Sequence, residues 1–135
     1  MVCIICGAST KTINSRPQRR LNRVWRRHRC TNCGCVFTSS ESFDENKMWV
    51  VKDKVGSITP FMKENLFISI YNSCKHRPSA IVDAKNLTDT VISKIIKLKL
   101  GTEISKKDLE KVAHNVLLHF DKVAAIYYEA YYLSN

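Results

Sequence analysis

MVCIICGASTKTINSRPQRRLNRVWRRHRCTNC, residues 1–33, decides how the chain is read. It holds two Cys-x-x-Cys pairs, Cys3/Cys6 and Cys30/Cys33, bracketing a loop that carries Lys11 and seven arginines but no acid. In each pair two thiolates on a tight turn point at one metal. Two pairs supply the four sulfurs that close a tetrahedral zinc site, with no position left for water. Gly7 and Gly34 follow the pairs and let the chain turn away from them. A module of about 40 residues with few apolar groups builds no adequate core, so the metal serves folding rather than chemistry. On spacing the fourth ligand is Cys33, whose gap repeats that of the first pair. Cys35, just beyond it, is the alternative.

Charge is unevenly placed. Of the chain's 135 residues, the first 40 hold eight of the 22 Lys+Arg and none of the 12 Asp+Glu, although the net charge of the whole is only +10. Arg16, Arg19, Arg20, Arg23, Arg26, Arg27 and Arg29 therefore suit a polyanion, and planar guanidinium groups suit phosphates and guanine edges. Nucleic acid is the partner this predicts. His28 is a further candidate for phosphate contact, and Trp25 either stacks on a base or packs on the ribbon. The large apolar groups between residues 11 and 29 are too few for a membrane surface, and no apolar run is long enough to span one. Paired Cys-x-x-Cys spacing in a chain without a signal-peptide pattern points to metal in a reducing, cytoplasmic compartment. No Ser/His/Asp set, carboxylate dyad or phosphate-cradling glycine loop is visible, which argues against an enzyme.

Acids first appear at residues 41–47, where composition shifts, and this divides the chain into a zinc ribbon at 1–45 and a second domain at 46–135. The fold class is α+β: the ribbon, then a mainly helical domain with a small β-hairpin. Met48 to Lys52 reads as a strand and the segment around Gly56 as its turn. Helical spacing begins at Pro60, read as a first helical position, and runs through Phe61, Leu66, Ile70 and Cys74 to a stop at Arg77-Pro78. A second helix carries Ala84, Leu87, Val91, Ile95 and Leu98 on one stripe and ends at Gly101. Ser105 caps a third helix, with Asp108 at the capping-box position. A tyrosine-rich helix follows Asp121. Cys74 is expected to be a buried small hydrophobe.

Cys-x-x-Cys-Gly, Ile13-Asn14-Ser15-Arg16, Arg26-Arg27-His28-Arg29-Cys30-Thr31-Asn32-Cys33 and Phe37-Thr38 with Glu41 resemble the zinc ribbon of the NrdR family. These are bacterial transcriptional repressors of ribonucleotide reductase genes. Val50-Val51-Lys52, Gly56, Pro60-Phe61 and Leu66, and later Asp121-Lys122-Val123-Ala124, resemble the ATP-cone of that family. The resemblance implies a nucleoid-associated homo-oligomer that grips an operator in double-stranded DNA through Zn2+-bound ribbons and senses ATP or dATP through the cone. Lys52, Lys54, Gly56 and Lys63 are then the candidate nucleotide-binding residues. The family's lysines are replaced at Asp53 and Asn65, and positions where it tends to carry Tyr and Arg hold Ala125 and Tyr127. These departures raise the alternative of a degenerate cone that serves assembly without sensing nucleotide.

Overall fold

The computed structural model describes residues 1–133, so the last two residues of the expected second domain lie outside the described part. The chain forms two compact units, Met1–Phe43 and Asp44 onward.

The first unit is a three-stranded antiparallel sheet in the order β1-β2-β3, made of β1 (Thr10–Gln18), β2 (Arg23–Cys30) and β3 (Val36–Ser42). The expected arginine loop is corrected ahead of Arg26, where most of it is extended and only Arg19–Leu21 form a 3₁₀ turn at the hairpin tip; residues 26–29 run as a strand into Cys30, as a zinc ribbon requires. Asn22 closes that turn at φ 49°, a left-handed conformation that asparagine tolerates better than most residues. Thr10, Thr12, Ile13, Val24 and Trp25 supply strand preference that the arginines mask. A register shift between Thr12 and Asn14 sets Ile13 aside as a bulge. Within this unit only Cys3, His28 and Cys30 are buried. A sheet with so little core does not stand by hydrophobic burial.

The second unit starts with a helical turn, α1 (Glu45–Met48), so the strand expected from Met48 begins only at Val50. Its sheet has the order β5-β4-β6, from β4 (Val50–Lys52), β5 (Ile58–Pro60) and β6 (Glu103–Ser105). β4 runs antiparallel to β5 and parallel to β6. Pro60 is not a first helical residue: it ends β5, an edge strand, where the missing N–H costs no ladder bond. Phe61 then donates its backbone N–H to the Trp49 carbonyl at 2.9 Å, and the two rings meet edge to face.

Four helices follow: α2 (Lys63–Ser73), α3 (Ala80–Leu98), α4 (Lys106–Phe120) and α5 (Lys122–Tyr131). Each packs on the next, and α5 returns to α2. Leu66 and Ile70, Ala84, Leu87 and Val91, Ala113 and Leu117, and Ala124 and Tyr128 fill the space between them, with Phe61, just after β5, and Ile104 of β6. Leu98, expected on the buried stripe, is the last residue of α3 and is 54% exposed. Lys99 in a left-handed conformation, rather than Gly101, closes that helix. Cys74 is fully buried, and that burial pushes its thiol up to about 11. Ser105 caps α4 by accepting from the Asp108 N–H at 3.0 Å.

Asp121 joins two corners of the helical unit. Its Oδ1 accepts from the N–H groups of Val123 and Ala124, capping α5. Its Oδ2 accepts from His76 at 2.9 Å and from Arg77 at 3.0 Å, and Arg77 also binds Asp83 and lies over the Phe120 ring. His76 first, then Arg77 and the cap donors, hold the Asp121 carboxyl well below the usual carboxylate range. Asp121→Ala is expected to cost the helical unit about 1–2 kcal/mol, the usual worth of a lost N-cap, read from urea unfolding followed by far-UV circular dichroism. Since folding depresses this pKa, the wild-type advantage over the variant is complete above about pH 4 and is lost as pH falls below it.

Candidate metal centre and basic sheet

The two cysteine turns are built alike. In the first, the Cys3 N–H donates to the Ala8 carbonyl at 2.8 Å; in the second, the Cys30 N–H donates to the Cys35 carbonyl at 2.8 Å. Gly7 and Gly34 both sit at φ +74°, where a side chain would be strained. Backbone N–H groups inside the turns point at sulfur: Ile5 to Cys3, and Asn32 and Cys33 to Cys30.

The turns bring Cys3, Cys6, Cys30 and Cys33 together with all four Sγ atoms within 4.8 Å of one another. The Cys3–Cys33 and Cys6–Cys30 separations are 3.6 and 3.5 Å. A tetrahedron with Zn–S bonds of about 2.3 Å has edges of about 3.8 Å, so the sulfurs already stand near the corners that zinc requires. Cys35 contributes its carbonyl to the second turn and lies outside the four-sulfur set. Backbone N–H donors lower the thiols of Cys3, Cys6 and Cys30. Cys33 also receives such a donor, from Cys35, but desolvation and the crowding sulfurs outweigh it and push the thiol up to about 12. Four thiolates this close need a dication among them. The donor set fits a structural Zn2+, held by these four residues with no open position.

The metal clamps the two ends of the arginine hairpin, since Cys3 and Cys6 precede β1 and Cys30 closes β2. Residues paired across an antiparallel sheet share a face. The register pairs Lys11 with Arg29, Asn14 with Arg27, Arg16 with Trp25 and Gln18 with Arg23. Lys11, Arg16, Arg23, Trp25, Arg27 and Arg29 therefore stand on one face, and β3 adds only Val36, Thr38, Ser40 and Ser42 to it. Arg23 donates to Gln18 on that face. Arg19 and Arg20 are exposed at the tip.

The opposite face is spent on structure. Arg26 lies there, paired to Glu41 at 3.1 Å. His28, expected as a phosphate contact, is a correction: it is 5% exposed, bonded through Nε2 to Ser39 at 2.6 Å and stacked on Phe37. The short polar residues Thr12 and Ser39 flanking it gave no sign of this in the sequence, because their role depends on strand register.

The candidate nucleotide residues are not gathered. Lys52 pairs with Glu103 at 3.5 Å and Lys63 with Asp89 at 3.2 Å. Lys54 is exposed in the turn, and Gly56 sits at φ +89° beside it. Asp53 explains that turn: its Oδ1 accepts from the N–H groups of Val55 and Ser57. The unit has a cleft of about 590 Å³ whose lining includes Asp53, Phe61, Asn65, Lys106, Glu110 and Tyr128, but none of the four candidates. Among the described residues Lys106 is its single cation, and it was missed because the parallel strand β6 carries it there. No helix among the described residues is long and apolar enough to cross a membrane.

A four-cysteine ribbon ahead of a small mixed sheet and four helices defines a two-unit zinc-ribbon protein. Residues 1–41 match the family described as "Transcriptional repressor NrdR-like, N-terminal domain". The proteins named "Transcriptional repressor NrdR" from Staphylococcus aureus strains JH9, Newman and N315 are each 30% identical over 133 residues, covering 98% of this chain and 84% of theirs. The chain belongs to the NrdR family of transcriptional repressors, which are regulators and not enzymes.

Cys33→Ser is expected to lose the metal and Cys35→Ser to keep one zinc per chain, read by native mass spectrometry. The reverse pattern would move the fourth ligand to Cys35.

Proposed function

We propose that this chain is a zinc-dependent repressor that binds double-stranded DNA through one face of its ribbon. The observation carrying this reading is the gathering of Lys11, Arg16, Arg23, Arg27 and Arg29 on a single face of a metal-clamped sheet. A solvated charged surface has no need to sort cations from acids, whereas a phosphate backbone rewards it through counterion release. Arg19 and Arg20 extend the basic surface at the hairpin tip. Arg26, ion-paired on the other face, has a structural role first. The family resemblance supports ribonucleotide reductase genes as targets, action as a homo-oligomer on a repeated operator, and a place at the bacterial nucleoid.

For the second unit the resemblance supports ATP or dATP as the control ligand, and the cleft lined by Phe61, Asn65 and Lys106 is its best place. Specific observations favour a second reading, in which this unit serves assembly alone. A triphosphate needs cations at fixed positions, yet Lys52 and Lys63 are engaged with carboxylates, and Asp53 and Glu110 line the cleft. Equilibrium dialysis with labelled ATP and dATP separates the two. Saturable binding weakened at least tenfold by Lys106→Ala supports sensing in this cleft, and no binding supports assembly.

The DNA assignment has its own test. Arg27→Ala with Arg29→Ala is expected to flatten the slope of log affinity against log salt by about two, near 0.9 per lost phosphate contact. Arg26→Ala should change it far less. An unchanged slope in the double variant would remove this face from the interface.

A further inference from the structure

Trp25 is not explained by phosphate contacts. It lies on β2, the middle strand, so its indole stands at the centre of the basic face. Arg23 and Arg27 flank it along the strand, and Arg16 and Ser40 lie across from it. It is half-buried, and among the described residues no hydrogen bond or ring contact engages it. Nothing in the ribbon gives it a core to fill. His28 and Phe37, the stacked pair of this unit, are on the opposite face.

An aromatic ring ringed by guanidinium groups on an open sheet is what a nucleobase plane requires: cations for the neighbouring phosphates, a π surface for the base. Inside an intact duplex, however, the faces of each base are covered by its neighbours. A side chain on a flat sheet reaches such a face only where a base has left the stack.

We propose that Trp25 stacks on an unstacked base, so that the ribbon prefers duplex DNA carrying an unpaired or extruded nucleotide over an uninterrupted duplex. This rests on the reading of the basic face as the DNA-binding surface. It adds a source of selectivity that arginine–phosphate contacts do not provide, because phosphates position a protein without reading the bases.

The test uses the full-length, zinc-loaded chain and two probes: a 20-base-pair duplex, and the same duplex with one unpaired thymine at its centre. The chain has two tryptophans, and Trp49 is buried in the second unit against Phe61. Trp49→Phe therefore leaves Trp25 as the sole indole reporter. The expected result is about tenfold tighter binding of the bulged probe, in the range of one stacked base, with Trp25 emission quenched more by that probe than by the plain duplex. Trp25→Ala should abolish the preference while leaving the salt slope on the plain duplex intact, and Trp25→Phe should retain part of it. Should Trp25→Ala fail to take up zinc, the fluorescence arm still decides, since it keeps Trp25. Equal affinities for the two probes, or a preference that survives Trp25→Ala, would overturn the proposal while leaving the basic face as the DNA-binding surface. Failure of both probes to bind would overturn that reading as well.

Discussion

Four sulfurs within 4.8 Å are the constraint on which the ribbon depends. Thiolates at that spacing repel one another unless a dication lies between them, and burial of only three residues in the whole unit provides no substitute. The metal thus replaces a hydrophobic core. Its four ligands hold the start of β1 and the end of β2 together, and the register of the hairpin follows from that closure. Once the register is set, period-two alternation sorts the side chains. Most of the basic residues fall on one face, while the Arg26–Glu41 pair and the His28 bonding system take the other. Function here is a consequence of register, and register is a consequence of metal.

The sequence made the clamp plain because cysteine spacing is chemistry written directly in the chain. Two Cys-x-x-Cys turns, each followed by glycine, leave little freedom in where the sulfurs go. The form of the arginine segment was harder to read. Long polar side chains conceal strand alternation, so the stretch ahead of Arg26 looked like a loop although Thr10, Thr12, Val24 and Trp25 favour β-structure, while residues 26–29 running into Cys30 read as a strand. The partition of Arg26 from Arg27 was foreseeable from alternation, but the Glu41 pair and the burial of His28 needed the third strand. In the helical unit, Ser105 announced its helix by capping chemistry, whereas the cap that Asp121 makes became visible only in the structure. Pro60 misled because proline suits both a helix start and an edge strand, and the choice between them is made by the Phe61–Trp49 backbone bond. β6 was invisible: three residues that pair in parallel with β4 have no local signature.

The two units differ in how closely they keep the chemistry their family implies. The ribbon keeps four ligands and a dense basic face. In the helical unit the cations are redistributed: Lys52 and Lys63 pair with carboxylates, Asp53 serves as a turn former, and among the described residues Lys106 alone lines the cleft. Those two pairs occupy the cations that the family resemblance would assign to a triphosphate, which needs cations at fixed positions. In the ribbon, Arg27 and Arg29 are already exposed on the basic face.

If zinc creates the DNA-binding surface by fixing the basic sheet, DNA binding must follow the metal. Stripping the full-length chain with chelator and restoring Zn2+ stepwise, while following duplex DNA binding by fluorescence anisotropy, tests it most directly. The stripped chain is expected to show no salt-sensitive, saturable binding, and binding is expected to recover in proportion to zinc up to one ion per chain. Full affinity in the metal-free protein would contradict it.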